Sequence, residues 1–376
     1  MHANQPHSTD KLVCRKEEKE PIMDESLRKV KSTLAQHFEI NDWEGVDIIL
    51  ATAAAHYLTG EMLWLRFLGP SRSGRTELLR AIAEHPDCAE MEVLTPAAFR
   101  GGFRKGPKIL SRLNGKLVIT KDMASILTAR KDMRNEIFGV LRGIKDGKLT
   151  SDFGSDQGHL EQAGTFDWII AATSSGIEQQ RQLEGLLGQR FIDLRWQPGD
   201  REKMAYKAAC NNPHLADIRD DLTVEVVALL YAAKTAARTE TYPLGEPDLR
   251  QIAKVADAVA VLRTPVQHDR QGHILSLPEP EVGTELAQGL SRIARGLLCV
   301  GLDTWRPYIR RVAWDSVPLI RAQILRSLEG NPQTAAELEM ATGIPLRSVY
   351  HHVEQLELLK VVKDVGGKKE VSITLP

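Results

Sequence analysis

Apolar residues fall into two rhythms along this chain, and the changes of rhythm mark its organisation. The first 23 residues are charged, contain Pro and Ser and show no apolar period. Such a composition cannot bury enough surface to order itself, so 1–23 is expected to be disordered. Two helical stretches follow, the second with Val46, Ile48, Ile49, Leu50, Ala53 and Ala54 on one apolar face ahead of His56 and Tyr57. Thr59-Gly60 breaks it. Short continuous apolar runs then alternate with helical periods: Leu63 to Leu68, Leu117-Val118-Ile119, Phe166 to Ala172 and Phe191 to Trp196, with a helix over Lys131 to Ile144. Runs of this kind suit strands buried on both faces, and their alternation with helices predicts an α/β domain on a parallel sheet. The turn-rich stretch Asp146 to Gly154, then Gly158 and Gly164, predicts a β-hairpin inserted before the Phe166 strand. The core is therefore read as 24–200. Residues 201–315 are helix-rich, interrupted between Arg263-Thr264-Pro265 and Pro278-Glu279-Pro280, and 316–376 read as a separate small domain.

Composition narrows the class. The length of 376 residues accommodates roughly two or three domains. A formal net charge of -1 gives no overall pull toward nucleic acid, so any such binding has to come from local patches. Cys14, Cys88, Cys210 and Cys299 are far apart and lack metal-ligand spacing, which suits free thiols in a reducing compartment. No apolar run approaches the roughly 18 residues of a membrane span, and the N-terminus has no secretory apolar stretch. A soluble, cytoplasmic protein without a membrane partner is expected.

The chemistry concentrates at Gly69-Pro70-Ser71-Arg72-Ser73-Gly74-Arg75-Thr76, between a buried strand and the helical pattern Glu77 to Ile82. That is the layout of the phosphate-binding loop G-x-x-x-x-G-K-[ST], with Arg75 where lysine is usual. Gly69 and Gly74 permit the tight path that turns N–H groups toward phosphates, Pro70 and Ser73 lie within it, and Thr76 would offer a hydroxyl to Mg²⁺. A guanidinium is bulkier than an ammonium and points its donors in a fixed fork, so Arg75 suits phosphate holding better than alignment for hydrolysis. Asp122, after the Leu117 strand, is the acid available to hold Mg²⁺ or polarise water; its alternative role is to cap the next helix. Thr173 ends the Phe166 strand and would sense phosphate, and Arg190 precedes the Phe191 strand, where an arginine can act on a neighbouring subunit's nucleotide. The candidate cofactors are ATP and Mg²⁺.

Taken with Gly60 to Leu65, Lys121-Asp122, Leu141 to Gly147, Ala171-Ala172-Thr173 and Leu187 to Phe191, this order of motifs resembles the AAA+ ATPases. More narrowly, it is similar to the bacterial and mobile-element proteins related to minichromosome-maintenance helicases, over roughly residues 45–315. The resemblance implies a homo-oligomeric ring with ATP at subunit interfaces, a helical lid over 201–315, and a hairpin near Lys148 that faces a central channel and touches DNA. The chain departs from that pattern at Arg75 and at Lys121, where the helicases carry an acidic pair. It departs again at Glu285, which aligns with a phosphate-sensing arginine and would repel phosphate; Arg292 or Arg295 are the possible substitutes.

The C-terminal part reads as a winged helix-turn-helix. A helix over Ile320 to Leu328 is followed by one capped by Thr334 with Glu337 closing a capping box, then the turn Thr342 to Pro345. A third helix starts near Leu346, and Val361 to Val371 forms a hairpin around Gly366-Gly367. Arg347, Ser348, His351, His352 and Gln355 lie on the outward face of the third helix, where such side chains reach phosphates and base edges, and Lys368 and Lys369 lie at the wing. Acids and bases roughly balance here, so docking to another protein stays open. His351-His352 has no partnering cluster in the sequence to make it a metal pair. The fold expected is thus an AAA+ parallel-sheet phosphate-loop domain with a helical lid and a C-terminal winged helix. The function expected is an ATP-dependent, helicase-like motor on DNA in replication or maintenance of a mobile element. The alternatives are a hydrolysis-deficient, nucleotide-binding DNA scaffold or transcription regulator, and a loader or activator that remodels protein partners.

Overall fold

The computed structural model describes residues 22–92, 109–152, 159–174, 176–177, 190–239, 241–269, 271, 274–276 and 279–373. The expected disorder of 1–23 lies almost wholly outside them, as do the Leu187-Gly188-Gln189 motif residues and the turn of the inserted hairpin.

Two helices, α1 (Ile22–His37) and α2 (Trp43–Ala55), precede strand β1 (Trp64–Leu68). The core continues through α3 (Arg75–Ala83), β2 (Cys88–Glu90), α4 (Ile109–Leu113), β3 (Leu117–Thr120), α5 (Ala124–Leu127) and α6 (Lys131–Lys145). A hairpin, β4 (Lys148–Asp152) and β5 (His159–Ala163), then leads to β6 (Asp167–Ala172) and β7 (Ile192–Arg195). Strands β2, β3, β6, β1 and β7 lie side by side in that order as one five-stranded sheet, all parallel, and β4–β5 pair separately. The four predicted strands and the inserted hairpin are all present. Lys148, near which the DNA-touching hairpin is expected, is the first residue of β4 and pairs with Glu161 across the ladder at 2.9 Å.

The pleat sorts β1 between two layers. Leu65 and Phe67 join one core with α2, α3 and the later helices, whereas Trp64 and Leu68 join the other with α4, α5 and α6. On that second face Trp64 stacks on Phe166 at 5.6 Å and meets Trp168 edge-on at 5.3 Å. Arg66 lies in the same run, fully buried. It pairs with Asp193, its register partner on β7, at 2.6 and 3.1 Å, and covers the Phe191 ring. A buried pair of this kind adds little net stability but fixes the register, because either partner left alone would be a buried charge.

The helices that follow are α7 (Arg201–Asn211), α8 (Leu215–Thr239), α9 (Glu246–Arg263), α10 (Thr284–Cys299) and α11 (Arg306–Ser316). Helix α10 packs closely on α2 because both offer small residues: a Cβ on Gly296 would sit 2.2 Å from the Ala51 carbonyl oxygen. Helix α11 is tied to β7. Asp315 accepts the Arg195 N–H at 2.9 Å, and Ser316 Oγ accepts the Asp193 N–H at 3.1 Å. Arg311 on α11 grips Asp42, the N-cap of α2, with both terminal nitrogens.

The C-terminal unit consists of α12 (Leu319–Leu328), α13 (Ala335–Thr342), α14 (Leu346–Leu358), β8 (Val362–Val365) and β9 (Lys368–Val371). The Thr334–Glu337 capping box forms, Gly343 takes the left-handed conformation (φ 70°) in the turn, and Gly366 and Gly367 both have positive φ at the hairpin turn. Its core joins that of the preceding helices. Buried Arg321 on α12 donates to the carbonyls of Leu262 and Thr264, both at 2.7 Å, at the end of α9.

Candidate functional site

Parallel strands end at a common edge, so the segments leaving β1, β3 and β6 are neighbours. Leu68 pairs with Ala172 and Thr120 with Ile170, and the Met123 N–H donates to the Ala171 carbonyl at 2.8 Å. Gly69 to Thr76, Asp122 and Thr173 therefore meet at the carboxyl edge of the sheet.

Within the loop, Gly74 has φ 85° and Arg72 has φ 59°. The second is a conformation that costs a side-chain-bearing residue roughly 1–2 kcal/mol. Among the described residues no backbone N–H from Ser71 to Thr76 donates to a backbone carbonyl. These groups stand at the start of the nine-residue helix α3, where the helix dipole favours an anion. Thr76 is exposed beside them. This donor set fits a phosphate chain.

Arg75 is committed elsewhere. Its side chain turns under the loop, and the residue is only 8% exposed. Nη1 donates to the carbonyls of Phe67 at 2.5 Å and Ala172 at 2.6 Å, Nη2 to Pro70 at 3.1 Å, and Nε to the buried Ser73 hydroxyl at 3.3 Å. Burial pulls its pKa down to about 10, against the opposing pull of Asp122. Gly69 makes room for it, since a Cβ there would lie 3.2 Å from Arg75 Nε and 3.0 Å from Trp196 Cβ. The Trp196 indole N–H caps the loop by donating to the Ser73 carbonyl at 2.8 Å. Four of the guanidinium's five N–H donors are thus occupied by the loop and the strand ends.

Asp122 is exposed, and one carboxylate oxygen accepts the Ala124 N–H at 2.9 Å. That bond reaches the first N–H of α5 from the residue before the N-cap, Met123, and the second oxygen of Asp122 has no hydrogen-bond partner among the described residues. Lys121 turns away to Glu90 at 2.7 Å and Glu92 at 3.6 Å. Thr173 is half-buried at the end of β6.

The other arginines lie at the amino edge, a strand length of about 13 Å away for five residues. Arg190, ahead of β7, pairs with Glu285 in the first turn of α10 and lies 3.8 Å from Asp146. Glu285, expected to face phosphate in place of an arginine, thus sits beside Arg190 rather than at this chain's own loop. Neither expected substitute reaches the loop either. Arg292 is buried against Asp167, at 2.7 and 3.0 Å, and the Ala55 carbonyl, while Arg295 donates to the carbonyls of Thr59 and Thr241. Asp167 also accepts from the Leu63 N–H at 2.6 Å and lies 2.8 Å from His56 Nδ1. Burial raises its pKa, but His56 and Arg292 outweigh that and hold it below the usual carboxylate value. Lys145 completes this edge. Burial lowers its pKa to about 8, and its ammonium sits 5.2 Å over the Trp64 ring.

On α14, Arg347 and His351 are exposed and Ser348 and His352 are half-buried. Gln355 departs from the expected outward face: it is buried, its Oε1 accepts from Arg321 Nη2 at 2.9 Å, and its amide nitrogen lies 2.8 Å from His351 Nε2. Lys369 also departs, held by Glu357 and Asp364, both at 2.7 Å. Lys368 remains half-exposed, with its nearest acid, Glu337, at 4.0 Å. Tyr350 adds an exposed aromatic to this face.

No protein-family model matches the chain, and no curated protein matches it. Sequence reading missed Arg66–Asp193, Arg292–Asp167 and Arg311–Asp42. The signal was present only as charged residues inside otherwise apolar runs or at their ends, with partners more than 120 positions away.

Proposed function

We propose that the chain is a nucleotide-binding phosphate-loop protein of the AAA+ kind that works on DNA through its C-terminal winged helix, retaining nucleotide binding while turnover is slow or absent. One observation carries this reading. The loop N–H groups at the start of α3 are open, while the guanidinium in the usual lysine position is spent on the Phe67, Pro70 and Ala172 carbonyls.

In this reading the phosphates of ATP lie on the Ser73–Thr76 N–H groups. Hard oxygen donors, the Thr76 hydroxyl and the Asp122 carboxylate, hold Mg²⁺. When bound, the Mg²⁺-nucleotide supplies a polarised phosphoanhydride. The chain's residues orient it, with Thr173 at the phosphate end, but no lysine ammonium neutralises the terminal phosphate. Arg190 belongs to a homo-oligomeric ring in which it faces a neighbour's loop; in the single chain Glu285 holds it. Arg347, Ser348 and Lys368 contact DNA. Replication or maintenance of a mobile element is the setting that the AAA+ resemblance supports.

A second reading, an active helicase-like motor, is favoured by Asp122 and Thr173 meeting the loop at one edge. Equilibrium binding of ATP and of a non-hydrolysable analogue, measured beside turnover with and without single- and double-stranded DNA and beside sizing, separates the two. Micromolar binding with negligible DNA-insensitive turnover supports the first, and DNA-stimulated turnover replaces it with the second. Absence of nucleotide binding sinks both.

A further inference from the structure

The segment between α9 and α10 folds back on itself: His268 bridges Ile274 antiparallel, and the Leu275 N–H donates to the Gln267 carbonyl at 2.9 Å. This fold sets the His268 ring against α14, with its centroid 4.6 Å from that of His351. His268 Nδ1 lies 3.0 Å from the Val266 carbonyl oxygen. A carbonyl only accepts, so Nδ1 carries the proton and Nε2 keeps the lone pair. That Nε2 is buried and has no hydrogen-bond partner among the described residues. Glu354 stands one turn beyond His351 on the same face of α14.

We propose that His268, His351 and Glu354 form a site for a first-row transition-metal ion of the zinc class, joining the α9–α10 segment to the third helix of the winged unit. One ligand atom from each residue lies within 4.8 Å of the others. Bonds of about 2.1 Å to a tetrahedral ion place ligand atoms about 3.4 Å apart, so closure needs side-chain rotation on the order of 1 Å. The backbone carbonyl behind His268 is the outer contact that metal-bound imidazoles ordinarily have, and it already fixes the tautomer. His351 is also prepared. Arg321 orients the Gln355 amide so that its N–H points at His351 Nε2, which must therefore be an unprotonated acceptor. Burial and the neighbouring His268 lower the pKa of His351, against a smaller pull from Glu354. Gln355 donates to the one nitrogen lone pair of the neutral ring, so a metal has to displace that hydrogen bond, and the affinity is micromolar rather than nanomolar. Two imidazoles and one carboxylate leave a fourth position for water and do not suit Mg²⁺, so this site is independent of the nucleotide reading.

The test is calorimetric titration of ZnCl₂ into the tag-free full-length chain, repeated with CoCl₂ while visible absorption is followed. One equivalent at micromolar Kd and the intense bands of tetrahedral Co²⁺ are expected. His268→Ala and Glu354→Gln each weaken Zn²⁺ binding tenfold or more and remove those bands, whereas His214→Ala changes neither. Glu354 is exposed, so Glu354→Gln should fold normally even if His268→Ala does not. Failure of the wild-type chain to bind saturably, or wild-type affinity in a folded Glu354→Gln, overturns the proposal.

Discussion

Arg75 Nη1 donates to the Ala172 carbonyl at 2.6 Å, so the arginine that stands in the motif's lysine position is fastened to the end of the neighbouring strand β6. The same nitrogen holds Phe67 on β1, and the guanidinium acts as a staple between two strand ends and the loop that leaves one of them. Arg75→Lys cannot reproduce this fork. Stranding these acceptors is expected to cost about 1–3 kcal/mol in urea unfolding. The freed ammonium is expected to tighten ATP binding and raise turnover above wild type in a phosphate-release assay.

Glu285→Ala releases Arg190 at the amino edge. If Arg190 serves a neighbouring subunit, turnover per chain rises in this variant, and the rise grows with protein concentration. It is absent from the double variant with Arg190→Ala. A rise that survives in the double variant counts against a trans role.

Asp315 gives the fold a pH signature. Burial raises its pKa to about 6, outweighing the Arg195 N–H and the nearby arginines. The folded state therefore holds a proton that the unfolded chain releases from about pH 4 upward. This contribution to stability is full at low pH and is lost as pH rises toward 6. Asp315→Asn removes the slope, and its stability difference from wild type changes by about 3 kcal/mol across that window, read from urea unfolding at half-unit steps.

Gly296→Ala forces a methyl group to within 2.2 Å of the Ala51 carbonyl oxygen, where only backbone displacement makes room. A loss of about 1–3 kcal/mol is expected, visible as a lowered Tm. Gly139→Ala, with nothing within 4 Å of its Cβ position, serves as the control and is neutral or mildly stabilising.

Arg347→Ala and Lys368→Ala are expected to weaken DNA binding and to lower the salt dependence of log Kd by about one unit each, in fluorescence anisotropy. Lys369→Ala instead loses its pairs with Glu357 and Asp364 and changes stability more than affinity.

What the sequence made legible was local. The Thr334–Glu337 box spans four residues and Gly343 closes the same helix, so both could be read directly. Strands could be read because burial on both faces leaves an apolar run, and β1 kept that appearance despite Arg66. The charge of Arg66 is answered by Asp193, which only the β1–β7 register brings near. The candidate site divides the same way. The order of loop, Asp122 and Thr173 sufficed to bring them to one edge, because parallel strands must end together. The direction of the Arg75 side chain depends on carbonyls of another strand, and the burial of Gln355 depends on Arg321. Helical periodicity gives a face but not what packs on it, so it puts Gln355 outward and says nothing of His268.

Only Val317 and Pro318 separate α11 from α12, and Val317 is fully buried. The C-terminal unit is thus mounted like a bracket, bolted through Arg321 on one side and through α11 to β7 on the other. Turning α14 relative to β7 therefore means breaking the Arg321 hydrogen bonds and exposing Val317, not bending a linker. The C-terminal unit is a packed extension of the helical layer and not a tethered module.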